Sequence, residues 1–400
     1  MTRALLYTLE PLEHGGVIAK VRIVDSLLRR FGHSVELLYT ATEQAPTTGR
    51  RDVARYFLRA RPRWETNCGF QGLAIPHWPL PLGLTYALPW WLGRVPMRRS
   101  AIHIVVSGAN HCGLPAALAR RRYLVWIGTL YREELEGKAA AGDAWARRAL
   151  RGIGGALLDR EERLVFERAA AILTNGPHTA AAVRRQYPQV ADKVQVMIYP
   201  VDTETFRPDP AVRAAVRRPY LLFTARINDP RKNVGLLLEA LARLRGARPD
   251  LELVLTGNYP LPSIREKVAA LGLETAVRFA GHQTSADLVR LYQGAELFVL
   301  SSTQEGLGIS LLEAMACGLP AVSTRCGGPE GVLQDGRTGL LVENGNAEAF
   351  AGAVLRLLAD PAGLDAMRAN RVEYARASFA RPLIETRLLG AFRAAYPEHF

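Results

Sequence analysis

Two glutamates and two cations carry the chemistry this sequence can do. Glu305 and Glu313 stand eight residues apart, about two helical turns if the stretch is helical. Beside Glu305, Gly306 and Gly308 leave the backbone bare, so its N–H groups can approach a ligand closely. The amides of Leu307 and Ile309 open the following helix and offer further donors to an anion or a hydroxyl-rich ligand. Upstream, Arg226-Ile227-Asn228-Asp229-Pro230-Arg231-Lys232-Asn233 sets cations just before another helix. Arginine brings a planar fork and lysine a point charge, and both suit phosphate oxygens. Carboxylates that accept from ring hydroxyls, next to bare amides and a diphosphate clamp, suit a sugar attached to a diphosphate. Taken singly, each feature has a plain alternative: a solvated Glu, or a basic surface turn.

The surrounding pattern shows what would position these groups. Glu296 to Leu300 is a short apolar run that reads as a buried strand, and Ser301 to Gly306 follow as a polar turn. Leu307, Leu311, Leu312 and Met315 recur at helical spacing up to Cys317, where Gly318 closes the helix and Pro320 prevents its continuation. A strand resumes over 320–323, then Gly327-Gly328-Pro329-Glu330 makes another turn. The clamp follows a strand at 220–224 and precedes a helix from Val234 to Leu244. Strands at 251–256 and 277–280 end at Gly257 and at Gly281-His282-Gln283. The first half has the same rhythm, with strands at 4–8, 34–40, 102–106, 123–127, 171–175 and 194–198. His14-Gly15-Gly16 separates its first strand from a helix over 17–30, and residues 143–170 read as one long helical region. Repeated strand–turn–helix units predict parallel α/β sheets. A proline-containing connector over 199–210 is the expected boundary.

Four hundred residues allow two or three domains with their own cores. Hydrophobic content of 48% and charged content of 22% are those of an ordinary globular chain. No run of eighteen apolar residues exists, and the apolar start is too short for a signal-peptide core. Four cysteines without CxxC spacing fit reduced thiols. The net charge of +13 is lopsided: residues 1–200 hold 28 Lys/Arg against 16 Asp/Glu, leaving +1 for the rest. Arg51, Arg55 and Arg59, and then Tyr86, Trp90, Trp91, Arg94, Met97, Arg98 and Arg99, suit a bilayer interface or a solvated basic face. No helix-turn-helix, zinc or RRM signature accompanies the charge, so nucleic acid is not expected.

The run Glu305-Gly306-Leu307-Gly308-Ile309-Ser310-Leu311-Leu312-Glu313-Ala314-Met315-Ala316-Cys317-Gly318-Leu319-Pro320 resembles the E-x7-E signature of the GT-B retaining glycosyltransferases often called family 4. Gly327-Gly328-Pro329-Glu330 and Asp335-Gly336-Arg337-Thr338-Gly339-Leu340-Leu341-Val342 continue it. The resemblance implies two Rossmann-like domains facing a cleft: an acceptor-side domain over 1–199 and a nucleotide-sugar domain over 200–378. A helix over 379–400 would return to the first domain. It implies a hexosyltransferase (EC 2.4) moving a sugar from a nucleoside-diphosphate donor, with retention, to a glycan or lipid-linked acceptor. By that resemblance Arg226 and Lys232 hold the diphosphate, with Arg231 the alternative to Lys232 because the gap is one residue longer than the family's, while Glu305 holds the donor sugar and Glu313 the ribose. Gly306, Leu307, Gly308 and Ile309 would position the sugar, His282 would lie near the base, and Gly15 and Gly16 over the diphosphate, with Lys20 in the basic place of that loop. No metal or resident cofactor is expected, since no DxD-like pair stands in a suitable loop. Where the family usually has a histidine facing the reacting carbon, this chain has Gly128, and His111 is the nearby substitute. A place in the cytoplasm, at the inner face of the cell membrane, completes the expectation. Two other readings stay open: a nucleotide-sugar epimerase on the same fold, and a non-catalytic basic docking protein.

Overall fold

A computed structural model describes residues 2–12, 15–41, 59, 61–77, 82–87, 89–140 and 142–400. The chain divides into two compact units. Unit 1 comprises residues 1–139, 143–198 and 385–400; unit 2 comprises 140–142 and 199–384.

Unit 1 is built on eight strands: β1 (Arg3–Leu9), β2 (Ser34–Thr40), β3 (Arg63–Asn67), β4 (Phe70–Ile75), β5 (Ile102–Val106), β6 (Leu124–Ile127), β7 (Ala171–Thr174) and β8 (Val194–Val196). Their order is β3-β4-β2-β1-β5-β6-β7-β8, parallel except for the β3–β4 hairpin. Strands β5, β6 and β7 are buried along their whole length, as expected of a parallel sheet covered on both faces. The order reverses between β1 and β5, so a crevice for ligands belongs at the carboxyl ends of those strands.

The exposed, polar β3 closes one edge of this sheet. Its Glu65 accepts from Tyr39 Oη at 2.6 Å and from Arg63 Nε at 2.5 Å. Of the basic stretch at 51–63, Arg51 and Arg55 lie outside the described residues, as does His14. The long helical region breaks at Leu150–Arg151 into helices Ala144–Ala149 and Gly152–Arg168, with Arg151 extended and three glycines among the next four residues.

Lys20 corrects one expectation. It is 2% exposed, so it cannot lie over a ligand. Its Nζ donates to Ser107 O at 2.5 Å and Trp126 O at 3.2 Å, tying the helix Gly16–Arg30 to the ends of β5 and β6. Burial pushes its ammonium down to about 7, against a small opposing effect of the Cys112 thiol beside it. Between that value and the ordinary lysine range the unfolded chain binds a proton the folded chain has released, so Lys20 makes stability rise with pH there. The carboxyls of Glu161, Glu162 and Glu313, raised by burial to about 7, act in the opposite sense. Comparing Lys20→Met with wild type cancels them. Between about pH 6.5 and about pH 9, the stability difference should move by about 2 kcal/mol against the variant. Urea denaturation at both pH values measures it, and a pH-independent difference would contradict this placement.

Unit 2 carries six parallel strands: β9 (Tyr220–Thr224), β10 (Glu252–Thr256), β11 (Val277–Gly281), β12 (Leu297–Leu300), β13 (Ala321–Thr324) and β14 (Leu340–Val342). Their order is β11-β10-β9-β12-β13-β14. The order reverses between β9 and β12, so this sheet's ligand crevice belongs at the mouths 225–233 and 301–308. Helix Val234–Leu244 buries seven apolar side chains and follows the first mouth; helix Ile309–Ala316 follows the second. The latter starts two residues later than the apolar spacing suggested, because Gly308 is left-handed at φ 83° and forms its N-cap.

Candidate active site

The switch point of unit 2 brings together the residues that the sequence set 73 positions apart. Lys232 closes the short turn Pro230–Lys232 after β9, and its Nζ lies 2.5 Å from Glu305 Oε1 in the turn after β12. Ser302 Oγ donates to the same carboxylate oxygen at 2.8 Å, and Ser301 Oγ to Lys232 O at 2.8 Å. Both partners are mostly buried, with 14% and 13% of the side-chain surface exposed. A second contact joins the turns where Thr303 N donates to Arg231 O at 2.7 Å.

The other cations are organised by Asp229, a residue the sequence reading passed over. Arg231 grips it through two contacts, Nε to Oδ1 at 3.1 Å and Nη2 to Oδ2 at 2.8 Å. Arg226 reaches the same carboxylate at 3.1 Å but keeps its side chain 69% exposed. Burial pushes the Asp229 carboxyl up, but the Arg231 hydrogen bonds and both guanidinium charges outweigh it, so it stays below its ordinary value. Arg231 is thereby held to the scaffold, which leaves Lys232 and the exposed fork of Arg226 as the cations facing the mouth. The Asp-Pro step at 229–230 is the turn signal that could have marked Asp229.

Glu305 is fixed from the far side by a backbone exchange. Its N–H donates to Cys326 O at 2.9 Å, and its carbonyl accepts from Gly328 N at 2.8 Å. Glu330 in turn accepts from the amides of Cys326 and Gly327 at 3.2 and 2.9 Å, holding that turn closed. The amides of Gly306 and Gly308 have no acceptor among the described residues. Leu307 and Gly308 are buried, and Gly306 and Ile309 are partly exposed.

Glu313 sits on helix Ile309–Ala316 and accepts from Tyr292 Oη at 2.8 Å. It keeps some exposed surface, yet burial dominates its carboxyl and pushes it up to about 7, against the Tyr292 hydrogen bond. The fully buried Arg371 anchors the same helix by donating to Leu311 O at 3.4 Å, and it also bonds Thr338 O. His282 is exposed at the mouth of β11, while Gln283 folds back onto Ala280 O at 2.6 Å. A cavity of about 480 Å³, lined by Arg213, Leu319 and Arg368 among others, opens at the amino ends of β12 and β13. That is the wrong end of the sheet for this chemistry.

Residues 218–360, which contain Arg226, Asp229, Lys232, His282, Glu305 and Glu313, match the family described as Glycosyl transferases group 1. The chain carries a group 1 glycosyl transferase domain. A D-inositol 3-phosphate glycosyltransferase of Pseudarthrobacter chlorophenolicus is 32% identical over 253 residues, covering 60% of this chain and 59% of that enzyme. A GDP-mannose-dependent alpha-(1-6)-phosphatidylinositol monomannoside mannosyltransferase of Mycolicibacterium smegmatis is 36% identical over 182 residues, 42% of this chain and 47% of that one. The chain thus spans about half the length of the curated relatives it matches. Among solved structures, a sucrose-phosphate synthase from Thermosynechococcus elongatus superposes with a TM-score of 0.77 at 21% identity, covering 99% of both chains. The two-sheet, mostly parallel α/β architecture is that of the GT-B glycosyltransferases.

Within this stretch Lys232 and Glu305 lie at the mouths of β9 and β12, and Glu313 lies on the helix after the second mouth. In unit 1, Gly15 stands open at the N-terminus of helix Gly16–Arg30, with φ 131°. His111, the substitute suggested for the missing histidine, does not serve as one. It is 2% exposed between the rings of Tyr86 and Tyr131, and its Nε2 lies 3.0 Å from Leu158 O. Burial pushes its imidazolium down to about 4, so it is a neutral core residue. Gly128 is partly exposed, beside Gly108 and Asn175. Among the described residues no helix is long and apolar enough to cross a membrane.

Proposed function

We propose that this chain transfers a sugar, with retention, from a nucleoside-diphosphate sugar to a hydroxyl of a lipid-linked or cell-envelope glycan acceptor. One observation carries the reading: Lys232 and Glu305 meet at 2.5 Å at the switch point of unit 2, next to the unfilled amides of Gly306 and Gly308. In this reading unit 2 holds the donor and unit 1 supplies the acceptor contacts. Lys232 and Arg226 neutralise the charge that develops on the leaving diphosphate, the task a metal ion performs elsewhere. Glu305 accepts from the donor-sugar hydroxyls and the two glycine amides orient the ring. Glu313 accepts from the ribose through the oxygen that Tyr292 does not use. The relatives named for inositol phosphate and phosphatidylinositol mannoside substrates support an inositol- or lipid-type acceptor.

The test is a thermal-shift screen against UDP-, GDP- and ADP-sugars, since a bound donor stabilises by mass action. One nucleotide series should raise the midpoint of unfolding and the others should not. No shift with any of them at millimolar concentration would remove the donor assignment. An anionic membrane surface as the working platform extends the proposal. It is supported by the +12 charge of residues 1–200 and by the exposed Trp91 and Trp145. Co-sedimentation with phosphatidylglycerol vesicles at low salt, lost at high salt, is the expected result; no binding at low salt would remove the extension.

A further inference from the structure

We propose that the side-chain amide of Asn175 binds the acceptor hydroxyl, in a notch walled by glycines at the carboxyl ends of β5, β6 and β7; the assignment to the acceptor rests on the transfer reading above. Gly108 follows β5, Gly128 follows β6 and Asn175 follows β7, so three adjacent strands end on this spot. A side chain at 128 would fill it: a Cβ there would lie 3.2 Å from Asn175 Nδ2 and 3.6 Å from Gly108 O. In the direction of a Cβ on Gly108 there is nothing within 4 Å. The notch is therefore bare backbone with one amide projecting into the space a larger residue would take.

The carbonyls of Ser107, Gly108, Trp126, Ile127 and Gly128 around it are already taken. Gly128 N donates to Gly108 O at 2.8 Å, and Thr129 N to the same oxygen at 3.0 Å. Thr179 Oγ1 donates to Gly128 O at 3.1 Å, and Asn175 N to Ile127 O at 3.1 Å. From below, Lys20 ties Ser107 O and Trp126 O together, so the strand ends that frame the notch are held in place. The Asn175 amide is the exception. It is 7% exposed, and its Oδ1 has no partner among the described residues. Buried amides are almost always paired, and an unpaired one destabilises the fold. Because the oxygen and nitrogen of an amide can exchange places by a flip, either end can face the opening. A hydroxyl both donates and accepts, as the amide does, so a neutral sugar or cyclitol hydroxyl matches it.

The experiment titrates myo-inositol and methyl α-D-mannoside into the full chain. Binding is followed by NMR on the backbone amides of Gly108 and Gly128 and on the Asn175 side-chain amide, identified by its loss in Asn175→Ala. At least one probe should move all three signals. Asn175→Ala should weaken that binding by about tenfold, the worth of a single well-placed hydrogen bond. Gly128→Ala keeps the amide and only narrows the notch, so it guards against a folding defect in the first variant; it should weaken binding as well. The thermal shift given by the donor, which reports on unit 2, should be the same in both variants. If neither probe moves the Asn175 amide, or if both variants bind the probe as wild type does, the amide is a core group and the proposal falls. Failure of the transfer reading looks different: no donor shifts the unfolding midpoint while the Asn175 amide still responds to the probes.

Discussion

Lys232→Ala is expected to slow release of nucleoside diphosphate from the donor by about 10²–10³-fold, the usual cost of removing one preorganised charge from a transition state. The fold should survive. Lys232 is the last residue of a turn whose geometry is set by other groups: Asp229 accepts from Arg231 N, and Ser301 Oγ donates to the backbone carbonyl of Lys232, which alanine retains. Glu305 would lose its ammonium partner but keep the Ser302 hydroxyl at 2.8 Å. Leaving that carboxylate half-satisfied costs about 1–3 kcal/mol. The informative comparison is therefore steady-state release of nucleoside diphosphate against the unfolding midpoint. A large loss of rate with a small loss of stability supports the clamp. An unchanged rate would mean that the exposed Arg226 carries the leaving group alone, and the pairing of Lys232 with Glu305 would then be only structural.

The mouth residues that could be read from the sequence share one property: each lies after a strand and before a helix, where the direction of the chain alone decides which end of the sheet it occupies. Arg226, Lys232 and Glu305 are of this kind. Lys20 and His111 are not, since each lies inside a helical turn and the sequence does not say which face of that turn meets the core. In both cases a polar side chain expected at a surface is buried against main-chain carbonyls. The groups that hold the clamp were invisible for a different reason. Tyr292 meets Glu313 across 21 residues, and Ser301 meets Lys232 across 69, so only the packed sheet brings them together. The β3–β4 hairpin was missed because its turn is made by Cys68 and Gly69, both with positive φ, and cysteine is not a turn signal.

Gly328→Ala should have a large effect on both stability and rate, because it pushes apart the two turns that hold Glu305. Backbone strain is not the cause, for Gly328 has the ordinary helical angles φ −60° and ψ −49°. The cause is contact: a Cβ would lie 2.5, 2.6 and 2.7 Å from the N, Cα and C atoms of Leu307. These are main-chain atoms, so no rotamer change can relieve the overlap, and the two turns must move apart. That motion breaks the bond from Gly328 N to Glu305 O and carries Glu305 away from Lys232. Overpacking together with one lost hydrogen bond amounts to about 3 kcal/mol, or about 6–12 °C in the unfolding midpoint for a unit of this size. A shift of about 1 Å in a positioning carboxylate costs roughly 10²-fold in rate. Gly352→Ala makes the matching control. That glycine is exposed on helix Ala347–Leu358 with nothing within 4 Å of its Cβ direction, so alanine there should be neutral or stabilise by up to about 1 kcal/mol. Were Gly328→Ala to turn over donor at the wild-type rate, Glu305 would not need its present position, and the sugar would have to be held by other groups.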